Sequence, residues 1–245
     1  MRFVAKTDIG MKRKNNEDSL FANIYDADTS LYIVADGLGG YASGEVASQM
    51  LVNTMSNYFE NHRRFLKNAS DLQIEQVLQK ALNIANESIY ELEKTDEKYK
   101  GMGTTVVALL KLNSKIYYIS IGDSRMYYID AKMSEVSQIT EDDTYVNELI
   151  KTNVINPSEA ETHPQKHVLT KAIGIFKHID TVVNILEKEN GFVLLCTDGV
   201  TNMLDKKEIL NIFKKNKFEN VAQKLITKAN DNGGVDNITA IAIEL

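Results

Sequence analysis

Acidic residues stand at the ends of apolar segments at several places in this sequence. The segment LYIVAD ends at Asp36 and is followed by Gly37, and the segment FVLLCTD ends at Asp198 and is followed by Gly199. Acidic residues also border predicted strands at further positions: Asp123, Asp236 and the pair Glu17-Asp18. A single acid of this kind is usually a turn residue or a helix cap. Their repetition along one chain favours a shared site at which the strand ends meet.

The glycines that follow LYIVAD raise the alternative of a phosphate-binding loop before a helix. In a loop of the G-x-x-x-x-G-K-[ST] type aligned on Gly39 and Gly44, the lysine position holds Glu45, whose charge would repel a phosphate. The dinucleotide fingerprint G-x-G-x-x-G fails as well, because the third glycine position after Gly37 and Gly39 holds Ala42. These mismatches disfavour a nucleotide site and favour a metal site.

Carboxylates that meet at strand ends repel one another strongly unless cations compensate their charge. Ligand sets made only of oxygen select hard cations, so Mg²⁺ or Mn²⁺ fits these acids better than zinc. The four histidines show no paired zinc-ligand spacing. The single cysteine, Cys196, lies inside an apolar run, where a buried core residue is expected.

A cation close to the acids in sequence suggests what the metals could act on. Arg13 precedes Glu17 by four residues in the loop IGMKRKNNED. An arginine within a KRK run is usually solvated surface, but a guanidinium beside a metal site is also a frequent partner of a phosphoryl group. Acids that hold metals, together with an arginine that orients a phosphate, indicate hydrolysis of a phosphate ester.

The elements that must position these residues form runs of strands and runs of helices. The strand-like segments are residues 3–8, 19–25, 31–36, 104–112, 115–122, 125–130, 181–187, 191–198 and 237–245. Hydrophobic periodicity predicts helices near residues 46–59, 70–92, 206–214 and 218–230. Adjacent strands favour antiparallel sheets with helices packed outside. Several strands are apolar on both faces, which predicts a core between two sheets.

Composition restricts the class of partner and location. The chain of 245 residues is long enough for one domain with a large core. Its net charge of −6 argues against a nucleic-acid partner, because such binding depends on basic contacts to phosphates. No apolar run approaches the roughly 18 residues that a membrane span needs, and the segment MRFVAKTD lacks the apolar core of a signal peptide. A cytoplasmic location is therefore expected.

Seven motifs, taken in order, resemble the PP2C-type metal-dependent serine/threonine protein phosphatases (the PPM family), in particular the bacterial single-domain members. They are TDIGMKRKNNEDS, VADGLGGYASGEVAS, MGTT, IGDSRMY, THPQKHVLTKAIG, LLCTDGV and GGVDNIT. Each motif alone is weakly specific, but the order and the gaps match over essentially the whole chain. The resemblance implies an α+β fold, an αββα sandwich of two antiparallel β-sheets flanked by helices. It also implies a single domain over residues 1–245 with a flap subdomain at about 140–175.

The resemblance further implies two core metal ions, Mn²⁺ or Mg²⁺. Asp36 would bridge the two ions, and the backbone carbonyl of Gly37 would ligate one of them at the close approach that a glycine permits. Asp198 and Asp236 would ligate the other ion. A water held between the ions would attack phosphorus in line, without a covalent phosphoenzyme.

The remaining acids and the arginine receive roles in the same way. Glu17 and Asp18 would hold metal-bound waters, and Asp123 together with Asp198 would bind a third, weaker ion. Arg13 would bind the substrate phosphate and, with Asp36, would make up the catalytic pair.

The sequence departs from the family pattern at a few positions. Leu38 stands where animal members have a histidine proposed as the general acid, so protonation of the leaving group by a metal-bound water is our hypothesis. Bacterial relatives often have D-H-S where this chain has Asp142-Asp143-Thr144, and an R-N pair where it has Lys166-His167. Both changes lie in the predicted flap and affect the expected substrate preference rather than the metal core.

The expected function is hydrolysis of phosphoserine and phosphothreonine in proteins, in opposition to a serine/threonine kinase. The expected partners are phosphorylated proteins, including that kinase, and the protein is expected to be a monomer with no membrane insertion. One alternative is a phosphoprotein-binding pseudophosphatase, which the presence of every predicted metal acid and of Arg13 disfavours. Another is a phosphatase for an anti-sigma-factor antagonist. Such enzymes usually carry a sensor domain, which a length of 245 residues disfavours.

Overall fold

The computed structural model describes residues 1–39, 43–160 and 162–245, so Gly40, one of the glycines noted after LYIVAD, lies outside the described residues. The strands are β1 Arg2–Asp8, β2 Asp18–Asp26, β3 Thr29–Leu38, β4 Gly103–Thr104, β5 Val106–Leu112, β6 Lys115–Ile121, β7 Arg125–Ile129, β8 Val136–Gln138, β9 Asn184–Ile185, β10 Phe192–Cys196 and β11 Ile238–Glu244. The helices are α1 Ser43–Leu66, α2 Asp71–Glu93, α3 Tyr145–Lys151, α4 Pro157–Ala160, α5 Asp198–Thr201, α6 Lys206–Lys215 and α7 Val221–Asp231.

These strands form two antiparallel sheets. The first has the order β1-β11-β10-β7-β8, and the second has the order β2-β3-β5-β6-β9, with β4 paired to β3. Helices α6 and α7 pack on the outer face of the first sheet, and α1 and α2 pack on the outer face of the second. The predicted α+β fold, an αββα sandwich of two antiparallel sheets flanked by helices, is confirmed.

Three apolar layers hold the sandwich together, because the central strands bury both faces. In β3, Leu31 and Ile33 face the helices α1 and α2, whereas Tyr32 and Val34 face the first sheet. Cys196 is fully buried in the layer between β10 and the helices α6 and α7, as expected for a core residue. Residues that alternate along a strand point to opposite faces, so one strand contributes to two layers.

The inner layer between the sheets ends in polar residues at one end of the sandwich. Along the inner face of β3 the alternation passes from Val34 to Asp36, and after β10 it passes from Leu195 to Thr197. The strands next to these two also have polar inner-face residues at the same end: Asp18 in β2, beside β3, and Thr239 in β11, beside β10. The period-two pattern that builds the apolar core therefore also brings polar groups of both sheets to one edge.

The helix and turn signals of the sequence correspond to local structure. Ser70 is the N-cap of α2, near the predicted start of this helix, and Ser70 and Gln73 form a capping box. The β5–β6 hairpin turns through Asn113, whose φ of 55° is in the left-handed region. Within the described residues, no helix has both the length and the apolar character needed to cross a membrane.

Some predicted boundaries were wrong. The strand predicted at 181–187 forms only β9, whose two residues pair with β6, and Val182 just before it is 66% exposed. The short strand β8 was not predicted, and the segment 191–198 ends as a strand at Cys196 because Asp198 begins α5. Alternation in a sequence shows which faces are apolar, but it does not show where the neighbouring strand ends.

Residues 140–175, for which a flap is predicted, contain α3 and α4 and otherwise little regular structure. Their base is closed like a short hairpin: the amide of Tyr145 donates to the carbonyl of Val168 at 2.8 Å, and the amide of Thr170 donates to the carbonyl of Asp143 at 2.8 Å. The segment thus leaves and rejoins the sandwich at one place, next to the polar edge.

Candidate metal centre

Asp18 and Asp36 are direct cross-strand partners in the β2–β3 pairing, so their side chains project from the same face of the second sheet. The backbone of Asp36 is fixed on its other side: its carbonyl accepts from the Thr104 hydroxyl at 2.9 Å and from the Thr105 amide at 2.9 Å. Its amide donates to the Thr105 hydroxyl at 3.0 Å. These bonds hold the end of β3 in one position between its neighbours.

Gly37 lies where the end of β3 meets the start of α1. Its amide donates to the carbonyl of Glu17 at 3.1 Å. A Cβ at this position would overlap the carbonyl oxygen of Gly44 and would lie 2.6 Å from the carbonyl oxygen of Glu17. A Cβ on Gly44 would in turn lie 2.5 Å from Oε2 of Glu17. The pair of glycines therefore allows a closeness of backbone that no side chain would permit.

Asp198 stands at the start of α5, directly after β10. Its Oδ2 accepts a hydrogen bond from Nδ2 of Asn202 at 2.9 Å, and its carbonyl accepts from the Asn202 amide at 2.7 Å. Gly199 follows in close contact with the carbonyl of Asn237, where a Cβ would overlap it. The helix start is thus packed against the segment that leads into β11.

Asp236 lies in that segment, two residues before β11, which begins one residue later than the predicted strand 237–245. Its Oδ2 is 2.7 Å from Nη2 of Arg13, and its Oδ1 accepts from the amide of Asn237 at 2.8 Å. The structure therefore brings Arg13 directly against one of the predicted metal acids.

Residues 9–15, named here the arginine loop, are held at both ends by one buried side chain. Nδ2 of Asn237 donates to the carbonyl of Ile9 at 2.9 Å and to the carbonyl of Asn15 at 2.8 Å. Oδ1 of Asn237 accepts from the amide of Glu17 at 2.8 Å. All the polar atoms of this amide are thus used to fix the backbone that presents Arg13 and Glu17.

Asp123 lies in the turn between β6 and β7 and is linked to the predicted flap. The amide of the preceding Gly122 donates to Oδ2 of Asp143 at 3.0 Å, and the amide of Asp143 donates back to the carbonyl of Gly122 at 2.9 Å. Arg125, two residues further on, pairs with Asp142 through Nη2 and Oδ2 at 2.7 Å. The start of the predicted flap is therefore bonded to the turn that presents Asp123.

Burial raises the pKa of Asp36 well above its ordinary value, and the charges of neighbouring acids raise it further. In order of decreasing effect these neighbours are Asp18, Asp198, Asp123 and Asp236. The carboxylates of both sheets are therefore within electrostatic reach of one another, which a shared acidic site requires.

The other acids show the same effect. Burial raises the pKa of Asp18 to about 7, although the hydroxyls of Thr239 and Thr197 lower it. Burial, followed by the charge of Asp198, raises the pKa of Asp123 to about 7. Burial, followed by the charge of Asp236, raises the pKa of Asp198. Such groups favour a nearby cation because it stabilises their charged forms.

The donor atoms fit hard divalent cations. All side-chain donors of the predicted ligand set are oxygens, as Mn²⁺ and Mg²⁺ require. The Oδ1 atoms of Asp18 and Asp198 are buried and have no hydrogen-bond partner in the part of the chain that the structure describes, and a cation or its water would satisfy them. Across residues 1–39, 43–160 and 162–245, no three Asp, Glu, His or Cys side chains are close enough to hold an ion as placed. Arg13 donates a hydrogen bond to one oxygen of Asp236, and Asn202 donates one to an oxygen of Asp198. Repulsion between the negative carboxylates opposes their closer approach to one another.

Sequence reasoning missed the groups that orient these acids. Thr197, Asn202 and Asn237 contact Asp18, Asp198 and the arginine loop, respectively. Thr197 and Asn237 lie inside the motifs LLCTDGV and GGVDNIT, which were the available signal. Their partners in space are distant in sequence, so the motifs alone do not reveal their roles.

Comparison with known proteins gives a consistent result. The family model described as Protein phosphatase 2C matches residues 11–238. Protein phosphatase PhpP of Streptococcus pneumoniae is 35% identical over 241 residues, which cover 98% of this chain and 95% of that protein. The structure of the serine/threonine phosphatase PstP/Ppp of Mycobacterium tuberculosis superposes with a TM-score of 0.88 at 32% identity and covers 100% of this chain and 98% of that one.

A further similar structure contains metal ions. It is the catalytic domain of the serine/threonine protein phosphatase PstP in complex with two manganese ions, with a TM-score of 0.83 and 30% identity over 100% of this chain and 98% of that one. The family model and the curated relative both extend over nearly the whole chain, and the fold agrees with that of the similar structures. The chain therefore belongs to the protein phosphatase 2C family.

Proposed function

We propose that this protein is a metal-dependent phosphoprotein phosphatase, a hydrolase that removes phosphate from phosphoserine and phosphothreonine. The observation that supports this most directly is the polar edge of the sandwich. There, buried and unpartnered oxygens of Asp18 and Asp198 lie with other carboxylates beside the guanidinium of Arg13. Manganese in the similar PstP structure supports the choice of ion. The use of Mg²⁺ and the presence of a third ion are finer parts of the same proposal.

In this proposal two ions are held at the edge where the sheets meet. Asp36 would contribute to both ion sites, the Gly37 carbonyl would contribute to one, and Asp198 and Asp236 would contribute to the other. When bound, the ions would supply a water made more acidic and would neutralise charge on the phosphoryl group. Gly44 packs closely against Gly37 and has no side chain that would cover the Gly37 carbonyl. This supports the role of that carbonyl as a metal ligand.

Other residues bind and orient in this proposal. Glu17 and Asp18 would orient waters of the ions, and Asp123 with Asp198 would hold a third, weaker ion. Arg13 binds the substrate phosphate: its side chain is 51% exposed, and Asp236 accepts from only one of its terminal nitrogens. The remaining N–H groups of the guanidinium can donate to phosphoryl oxygens in the planar geometry that suits them.

The predicted flap supplies the space for a protein substrate. A cavity of about 670 Å³ lies between residues 140–175 and the sandwich, and Asp123, Asp198, Asn147 and Lys206 are among the residues that line it. We propose that this cavity binds the residues of the substrate that flank its phosphorylated side chain. The substrates would then be a serine/threonine kinase and its targets. The flap subdomain, the monomeric state and the cytoplasmic location stay predictions.

Hydrolysis of p-nitrophenyl phosphate tests the proposal. We expect turnover with Mn²⁺ and none after EDTA treatment, and phosphoserine and phosphothreonine peptides should also be hydrolysed. Binding of phosphopeptides without hydrolysis in Mn²⁺ would support the pseudophosphatase alternative instead. A phosphopeptide panel that includes a phosphorylated anti-sigma-factor antagonist would separate the two enzyme readings.

A further inference from the structure

Thr197 is fully buried between the end of β10 and Asp198, at the place where the two sheets approach. Its Oγ1 lies 2.9 Å from Oδ2 of Asp18, which belongs to the other sheet. The amide of Thr239 in β11 donates to the same Oγ1 at 3.0 Å, and the amide of Thr197 donates to the carbonyl of Thr239 at 3.1 Å. This one hydroxyl group therefore contacts a strand of each sheet, β2 and β11.

The direction of these hydrogen bonds follows from the chemistry of the donors. A backbone amide can only donate, so the hydroxyl of Thr197 accepts from Thr239. The single hydroxyl hydrogen is then left for Oδ2 of Asp18, which accepts it. The other oxygen of this carboxylate, Oδ1, is buried and has no hydrogen-bond partner among the described residues. The threonine thus fixes one oxygen of Asp18 and leaves the opposite oxygen available.

The same bond links the acids of the two sheets. Asp18 is the cross-strand partner of Asp36 on the second sheet, and Thr197 is the chain neighbour of Asp198 beside the first. A hydrogen bond between Thr197 and Asp18 therefore restrains how far apart the two groups of acids can lie.

We propose that Thr197 is a positioning residue of the metal site: its hydroxyl orients the carboxylate of Asp18 so that Oδ1 serves the metal ions or their waters. The inference rests on the proposed function, because it concerns the same site. Thr197 is not among the predicted ligands of the metal site. Partners that orient a metal-binding side chain typically contribute about 10- to 100-fold in metal affinity.

The test compares Mn²⁺ binding of variants, measured from the electron paramagnetic resonance signal of free Mn²⁺ without any substrate. Thr197→Val removes the hydroxyl at nearly constant volume, and Thr197→Ser retains it. We expect the valine variant to bind Mn²⁺ about 10- to 100-fold more weakly and the serine variant to bind like the wild type. Thr197→Ala replaces the valine variant if the latter does not fold.

The chain offers a matched control in Thr29, at the start of β3. It is also fully buried, but within the described part of the chain its hydroxyl has no hydrogen-bond partner. Thr29→Val makes the same chemical change away from the site and should leave Mn²⁺ binding unchanged. Unfolding by urea in EDTA checks that each variant is folded.

A second comparison tests the route of the effect. If the hydroxyl acts through Asp18, Thr197→Val should weaken Mn²⁺ binding no further in an Asp18→Asn background; independent, additive losses would overturn the inference. A valine variant that binds Mn²⁺ like the wild type would overturn it as well. If the wild-type protein itself bound no Mn²⁺, the proposed function would fail, and that result is distinct from both.

Discussion

The arginine loop and the predicted flap both border the acidic edge, but they are held in different ways. Asn237 bonds both ends of the arginine loop, at Ile9 and Asn15. A second buried asparagine, Asn86 in α2, accepts from the amide of Gly174 at 2.8 Å and donates to the carbonyl of Phe176 at 2.9 Å. The first side chain closes a short loop, whereas the second holds only the exit of a long segment.

This difference separates two tasks. The amide of Met11 in the arginine loop also donates to the carbonyl of Gly234 at 2.7 Å, so the loop is bonded along its length. The predicted flap, by contrast, is bonded to the sandwich near its two ends, through Asp143 to Gly122 and through Gly174 to Asn86. We infer that residues which contact the phosphate of every substrate are fixed by a buried side-chain amide. Residues which contact the variable protein part of a substrate are held less tightly.

The largest effect should come from the acids that both regions border. Asp36→Asn should reduce p-nitrophenyl phosphate turnover with Mn²⁺ by more than the roughly 100-fold typical of losing an outer partner of a metal site. Asp123→Asn, on the flap side, should lower activity while the core ions remain bound. Near-normal turnover of Asp36→Asn would remove the basis of the comparison.

The arginine loop should matter for every substrate. Arg13→Ala should raise KM for p-nitrophenyl phosphate and for phosphopeptides alike by about 10- to 100-fold, because a hydrogen bond to a charged group contributes about 1.5–3 kcal/mol. Mn²⁺ binding should be retained. An unchanged KM would show that Arg13 is only a surface residue.

The two asparagines provide a matched pair. Asn237→Ala and Asn86→Ala should each lower the free energy of unfolding by about 1–3 kcal/mol, because each leaves buried backbone groups unpaired. Asn237→Ala should also raise KM for p-nitrophenyl phosphate, whereas Asn86→Ala should change KM only for protein substrates. Equal effects of both variants on the small substrate would contradict the division of tasks.

The smallest effect concerns pH and the metal-free protein. The pKa of Asp18 and of Asp123 rises from 3.8 to about 7 on burial, so the folded state binds more protons than the unfolded state between these values. With EDTA present, the free energy of unfolding should therefore fall as the pH rises through this window, and the loss should be complete above it. Added Mn²⁺ should stabilise the protein more at about pH 8 than at about pH 6. Urea unfolding at both values, with Asp18→Asn as control, measures this.

The sequence predicted the parts of this molecule that depend on short patterns. Apolar strands ending in an acid drew attention to Asp36 and Asp198, and hydrophobic periodicity predicted a helix near residues 70–92, where α2 lies. Groups that act across the gap between the sheets were not predictable, because Thr197 and Asp18 are 179 residues apart in sequence. The two-residue length of β9 was missed for a related reason, since it depends on where the neighbouring strand stops pairing.

The buried thiol has a practical consequence for measuring motion. Burial raises the pKa of Cys196 to about 12, and no part of the side chain reaches solvent, so labelling reagents should leave the native protein unmodified. A cysteine introduced at the exposed position of Val154 would then be the single reactive thiol. A spin label attached there, together with paramagnetic Mn²⁺ at the acidic edge, would report the distance between the predicted flap and the metal site with and without a bound phosphopeptide.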